Sequence, residues 1–166
     1  LKNLNKSSQS LIHHVHVVGA GVMGGDIAAW CALRGLNVTL QDQDIKNTAK
    51  AIKKAYDLFK IKLKTPRQIQ ATMDRLVPDK EGLGIPRADI IIEAIYEDEH
   101  AKQALFKDLE NKARPDAIFA TNTSSIPLNA ISEGLHNPER LVGLHFFNPV
   151  ARMPLVEVVE DKITYP

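Results

Sequence analysis

Three glycines mark the segment whose chemistry is easiest to name. Gly19-Ala20-Gly21-Val22-Met23-Gly24 follows the apolar run Val15–Val18 and leads into a helical pattern over Met23–Leu33. The spacing alone is common, but between a strand and a helix each glycine has a task. Gly19 permits a tight turn, Gly21 lets phosphates approach the backbone, and Gly24 lets helix and strand pack closely. The helix start then offers unpaired amides and the positive end of its dipole to a pyrophosphate. Asp42 follows at roughly the 20-residue spacing at which an acid accepts hydrogen bonds from the adenosine ribose and repels a 2′-phosphate. With Gln41 and Gln43 beside it and no arginine near, the pattern predicts NAD rather than NADP. The bland alternative, a glycine-rich turn beside a surface aspartate, requires strand, helix and acid to coincide by chance.

A turn of this kind works only on a rigid frame, and the rest of the chain alternates in the way that builds one. Short β-rich runs at Val15–Val18, Val38–Leu40, Ile90–Ile92, Ile118–Thr121 and Leu141–Phe146 are interleaved with helical stretches at Met23–Leu33 and Lys102–Lys112. This predicts an α/β fold: a Rossmann-type, doubly wound, mostly parallel sheet with helices on both faces. Between Asp44 and Lys64, Ile45, Ala49, Ile52, Tyr56, Phe59 and Leu63 recur at steps of three and four, the stripe of an amphipathic helix. Pro66 restarts the pattern over Arg67–Leu76, so a helical hairpin is inserted after the second strand.

The 166 residues suit one domain, with 44% hydrophobic and 25% charged residues. Twenty-one basic against 20 acidic side chains give a formal charge of +1, so no overall field favours nucleic acid. No apolar run reaches the ~20 residues of a membrane span. The lone Cys31 cannot form an intrachain disulfide, and a reducing, cytoplasmic setting is expected. Leu1–Ser10 is polar and reads as a linker or disordered tail, with the folded domain over 11–166.

Three later motifs sharpen the reading. These are Thr121-Asn122-Thr123-Ser124-Ser125, His145-Phe146-Phe147-Asn148-Pro149 and Pro154-Leu155-Val156-Glu157-Val158. With the glycine turn they resemble the NAD-binding domain of L-3-hydroxyacyl-CoA dehydrogenases, over about Leu11–Lys162. The details look most like the dehydrogenase portion of the multifunctional fatty-acid oxidation enzyme. The resemblance implies His145 as catalytic base, Glu157 as its carboxylate partner and Ser124 near the reacting oxygen. It implies cofactor contacts at Gly19, Gly21, Met23, Gly24, Asp42, Glu97, Lys102, Asn122 and Asn148. It also implies an acyl-CoA substrate, an enoyl-CoA hydratase domain in cis and a thiolase subunit as partner. The chemistry suits the types: oxidising a secondary alcohol requires a base for its proton, and a carboxylate on the far ring nitrogen fixes the tautomer. Members of the family continue into an all-helical domain. The chain's end at Pro166 predicts that this domain is absent and that the chain binds NAD with little turnover.

Other readings stand beside these. By itself His145 reads as a core histidine, Glu157 as a solvated edge charge, and Ser124 as a cap for a helix near Pro127. Lysines 46–64 form either a solvated face or a surface for coenzyme A phosphates. His13, His14 and His16 lack a third ligand on one face, so no metal is expected, and Cys31 reads as packing. A stand-alone 3-hydroxybutyryl-CoA dehydrogenase and a non-catalytic dinucleotide-binding module remain as alternatives.

Overall fold

The computed structural model describes residues 12–146 and the backbone of strand 156–160. In chain order these are β1 (His14–Val18), α1 (Val22–Leu33), β2 (Asn37–Gln41), α2 (Ile45–Lys62), α3 (Pro66–Arg75), β3 (Leu76–Pro78), β4 (Ile90–Glu93), α4 (Glu99–Lys112), β5 (Ile118–Thr121), α5 (Leu128–Ile131), β6 (Leu141–Phe146) and β7 (Val156–Glu160). The strands form one sheet in the order β3-β2-β1-β4-β5-β6-β7. All pairs are parallel except β6 with β7, so the expected mostly parallel sheet is what forms.

The chain winds outward from β1 in one direction and from β4 in the other. The connections leaving the two central strands therefore run in opposite directions and leave a crevice at the strands' C-terminal ends, the position at which such sheets take ligands. Alternation along β1 divides the core. Val15 and Val17 join Ile27, Leu40 and Phe59 under α1 and α2, while Val18 joins Ile91, Phe106, Leu109 and Phe119 under α4. Helix α1 is apolar nearly all round because seven of its residues are buried between sheet and hairpin.

The hairpin is as the sequence predicts, with its borders set by capping. Asp44 accepts from Lys46 N at the start of α2. Thr65 and Gln68 form a reciprocal capping box at the start of α3, with Pro66 in the first turn. The second helix ends one residue earlier than expected, because Leu76 leaves it to begin β3, which pairs with Val38–Leu40. Three residues are too few for alternation to reveal a strand, and Pro78 is tolerated because β3 is the sheet edge. Among the described residues no helix is long and apolar enough to cross a membrane.

Candidate functional site

At the crevice, β1 ends on Gly19, whose φ of +103° belongs to the region that glycine alone enters freely. A side chain there would also meet Ala94 O at 2.5 Å. Gly24 is required for packing, since a Cβ on it would stand 1.7 Å from Gly19 O. Gly21 differs from both. Its φ of −68° suits any residue, and a Cβ built on it meets nothing within 4 Å. No contact among the described residues explains this glycine; a ligand lying over its backbone would. Gly21 is also the N-cap of α1 and no side chain caps that helix, so its first amides face the crevice unclaimed by a cap.

Asp42 closes the turn from β2. Its Oδ2 accepts from Ala20 N at 2.8 Å and its Oδ1 from Asp44 N at 2.8 Å, while Gln41 O accepts from Gly19 N at 2.8 Å. The carboxylate therefore has a structural duty that sequence reasoning missed; Oδ1 also accepts from Asn47 Nδ2 at 3.4 Å, and Oδ2 keeps a lone pair for a ribose hydroxyl. A cleft of about 680 Å³ runs between this turn and α4, lined by Gly19, Gly21, Gln41, Asp42, Asn47 and Tyr96 among others. Open glycine backbone, helix amides and a carboxylate across one cleft fit the phosphates and ribose of NAD.

The remaining predicted residues gather at the ends of β4, β5 and β6. Glu97 accepts from the hydroxyls of Thr123 and Ser125 at 2.7 Å each and from Lys102 Nζ at 3.0 Å. Burial alone would raise its carboxyl, but those donors and the ammonium outweigh burial and hold it below the usual range. Lys102, expected as a cofactor contact, is 1% exposed, with its ammonium 2.5 Å from Glu93 Oε1. Glu93 Oε2 also accepts from Thr121 Oγ1 at 2.5 Å, so one buried cluster ties α4 and β5 to β4. A charge ending the apolar run Ile90–Ile92 is the signal that could have revealed Glu93, because a buried carboxylate needs a partner.

Asn122 Oδ1 accepts from Phe146 N at 3.3 Å, binding the end of β5 to the strand that carries His145. His145 is half-buried on β6, and the β6–β7 register sets Glu157 directly opposite it. Ser124 is exposed in the loop after β5. It does not cap the following helix, whose N-cap is Pro127 without a side-chain bond. Met23 packs partly against the core in the first turn of α1. Asn148 lies outside the described residues. Cys31 is a packing residue, its thiol pushed up to about 12 by burial.

Residues 14–166 match the family described as 3-hydroxyacyl-CoA dehydrogenase, NAD binding domain. The fatty acid oxidation complex subunit alpha of Psychrobacter cryohalolentis is 37% identical over 98% of this chain, which spans 24% of that relative's length. A crystal structure of 3-hydroxybutyryl-CoA dehydrogenase from Escherichia coli superposes with a TM-score of 0.84 at 37% identity, covering 89% of this chain and 32% of that one. The dehydrogenase part of a multifunctional enzyme from C. elegans gives 0.82 at 32% identity, covering 91% and 35%.

Proposed function

The chain belongs to the 3-hydroxyacyl-CoA dehydrogenases as their NAD-binding domain, and from that membership we propose that it serves the oxidation of (S)-3-hydroxyacyl-CoA to 3-ketoacyl-CoA in fatty-acid β-oxidation. The observation that carries this reading is the pairing, across one cleft, of a glycine that nothing among the described residues requires and a carboxylate at the ribose position.

NAD, when bound, supplies the hydride acceptor. His145 takes the proton of the substrate hydroxyl, a task suited to imidazole near neutral pH. Glu157, its register partner, orients the ring and balances the charge it acquires. Ser124 hydrogen-bonds the reacting oxygen. Gly19, Gly21, Met23, Gly24 and Asp42 hold the pyrophosphate and adenosine ribose, and Glu97, Asn122 and Asn148 hold the nicotinamide half. Lys102 contributes by fixing Glu97. The partners we propose are an enoyl-CoA hydratase domain in cis and a thiolase subunit, in the cytoplasm. The oxidation-complex subunit among the relatives and the lone cysteine support them.

Calorimetry tests the cofactor half: NAD binds in the micromolar to sub-millimolar range, and Asp42→Ala weakens it by about tenfold, ~1.4 kcal/mol. No heat with millimolar NAD overturns the proposal. For the chemistry, His145→Gln in the enzyme should lower kcat by about 10² to 10⁴ with the Kd for NAD kept. A dinucleotide-binding module without catalysis would have no rate to lose.

A further inference from the structure

A row of polar side chains that the reaction does not use crosses the opposite face of β1 and β2 from α1 and ends at the cofactor cleft. His14 Nε2 lies 2.8 Å from Thr39 Oγ1, His16 Nδ1 lies 2.7 Å from the same oxygen, and His16 Nε2 lies 2.8 Å from Gln41 Oε1. Gln41 Nε2 reaches Lys80 O at 3.2 Å. A carbonyl only accepts, so the Gln41 amide nitrogen donates to Lys80 and its oxygen is left to accept from His16 Nε2–H. His16 Nδ1 must then accept the hydroxyl proton of Thr39, whose oxygen accepts from His14 Nε2–H. Every bond in the row has one direction, and the row terminates on a residue lining the cleft.

The row is clamped from outside. Asp79 accepts from Leu83 N at 2.8 Å and Gly84 N at 2.7 Å, folding 79–84 over it. Gly84 presses so closely that a Cβ there would stand 2.3 Å from Thr39 Oγ1. His16 is fully buried. Val18 and Ile85 share this face, so an apolar side chain at position 16 would bury equally well. An imidazole there costs desolvation and returns orientation.

We infer that His16, acting through Gln41, is a positioning residue for the adenosine half of the cofactor cleft. Gln41 is where its effect emerges: the main-chain oxygen holds Gly19 N, and the next residue, Asp42, holds Ala20 N. Locking the Gln41 side chain fixes the end of β2, and with it both the carboxylate for the ribose and the first turn of the phosphate cradle. The inference rests on the NAD-binding reading.

The test is a titration of the full chain with NAD and with AMP, which carries only the adenosine half. His16→Leu and Gln41→Met should each weaken both ligands by the same factor, about fivefold to tenfold, the worth of one fixed hydrogen bond. The double variant should be no worse than either single, because both break one link. His16→Gln, which restores a donor, should recover most of the loss. A purely structural histidine would lower the melting temperature in His16→Leu and leave AMP affinity within roughly twofold, and that result overturns the inference. So does a double variant whose loss is the product of the singles. Should His16→Leu not fold, Gln41→Met, on a half-buried side chain, decides by the same AMP criterion. A wild-type chain that binds neither ligand sinks the cofactor reading itself, an outcome distinct from wild-type binding with insensitive variants.

Discussion

At the scale of single residues, the glycine turn separates folding from binding within a few positions. Gly24→Ala places a methyl 1.7 Å from the main-chain oxygen of Gly19 in the turn after β1, and neither backbone can yield without lifting α1 from the sheet. A loss of about 3 kcal/mol or more is expected, read as a fall in melting temperature of roughly 10 °C. Gly21→Ala adds its methyl to open space at an ordinary φ, so the melting temperature should stay within about 2 °C. Its cost appears in the NAD titration, where the methyl occupies space the phosphates need, as a Kd raised about tenfold. Were Gly21→Ala to unfold the chain and leave affinity intact, the assignment of the two glycines would be reversed. Asp42 shows why such residues cannot be sorted by type alone: one carboxylate braces the turn and, in the proposed reading, also receives the ribose.

At the scale of elements, the end of β4 is held by charge rather than by apolar packing. Glu93 and Lys102 are both sequestered from water, so removing Lys102 leaves Glu93 without a cation, whereas Lys102 alone would keep Glu97. Lys102→Met is expected to cost about 3–5 kcal/mol in urea denaturation, and adding Glu93→Gln should return part of that loss. Purely additive losses would show that the pair is not the link between α4 and β4. This cluster also marks where reading the sequence stopped. Strands β1, β2, β4, β5 and β6, helices α1, α2 and α4, and the inserted hairpin were legible because inner strands are short apolar runs, the hairpin repeats at 3.6 residues, and the glycine turn marks the start of α1. Strand β3 was not, being a three-residue extension of α3 created by pairing with β2. The glycine turn and Asp42 were legible from spacing, and His145, Glu157 and Ser124 only from resemblance. Glu93, Thr121 and the His16–Gln41 row were not, because their partners lie far apart in sequence and meet only once the sheet has formed.

At the scale of the whole molecule, two sets of titrating groups act in the same direction in two parts of the pH range. Burial, then the charge of Arg87, lowers the pKa of His14. Burial likewise lowers that of His16, against the Gln41 bond and the charge of Asp79, which raise it. A histidine depressed in the fold is charged more readily in the unfolded chain. Its contribution is therefore complete above the ordinary 6.5 and is lost as pH falls from there toward the folded value. Carboxylates lose their contribution in the same direction but at lower pH. Burial would raise Asp89, Glu97 and Glu110, but it is outweighed by backbone donors and Arg114 at Asp89, by Thr123, Ser125 and Lys102 at Glu97, and by His136 and Asn137 at Glu110. Depressed acids stabilise fully above their ordinary 3.8 to 4.5 and lose that contribution below it. The melting temperature should thus fall in two stages, first below about 6.5 and again below about 4.5. His16 alone accounts for a slope of at most ~1.4 kcal/mol per pH unit in the first stage. Replacing both imidazoles, as His14→Gln with His16→Leu, should remove the first stage and leave the second. A wild-type melting temperature that is flat from pH 7.5 to 5.5 would mean that the buried row on β1 accepts protons as readily folded as unfolded, and its closed hydrogen bonding leaves no room for that.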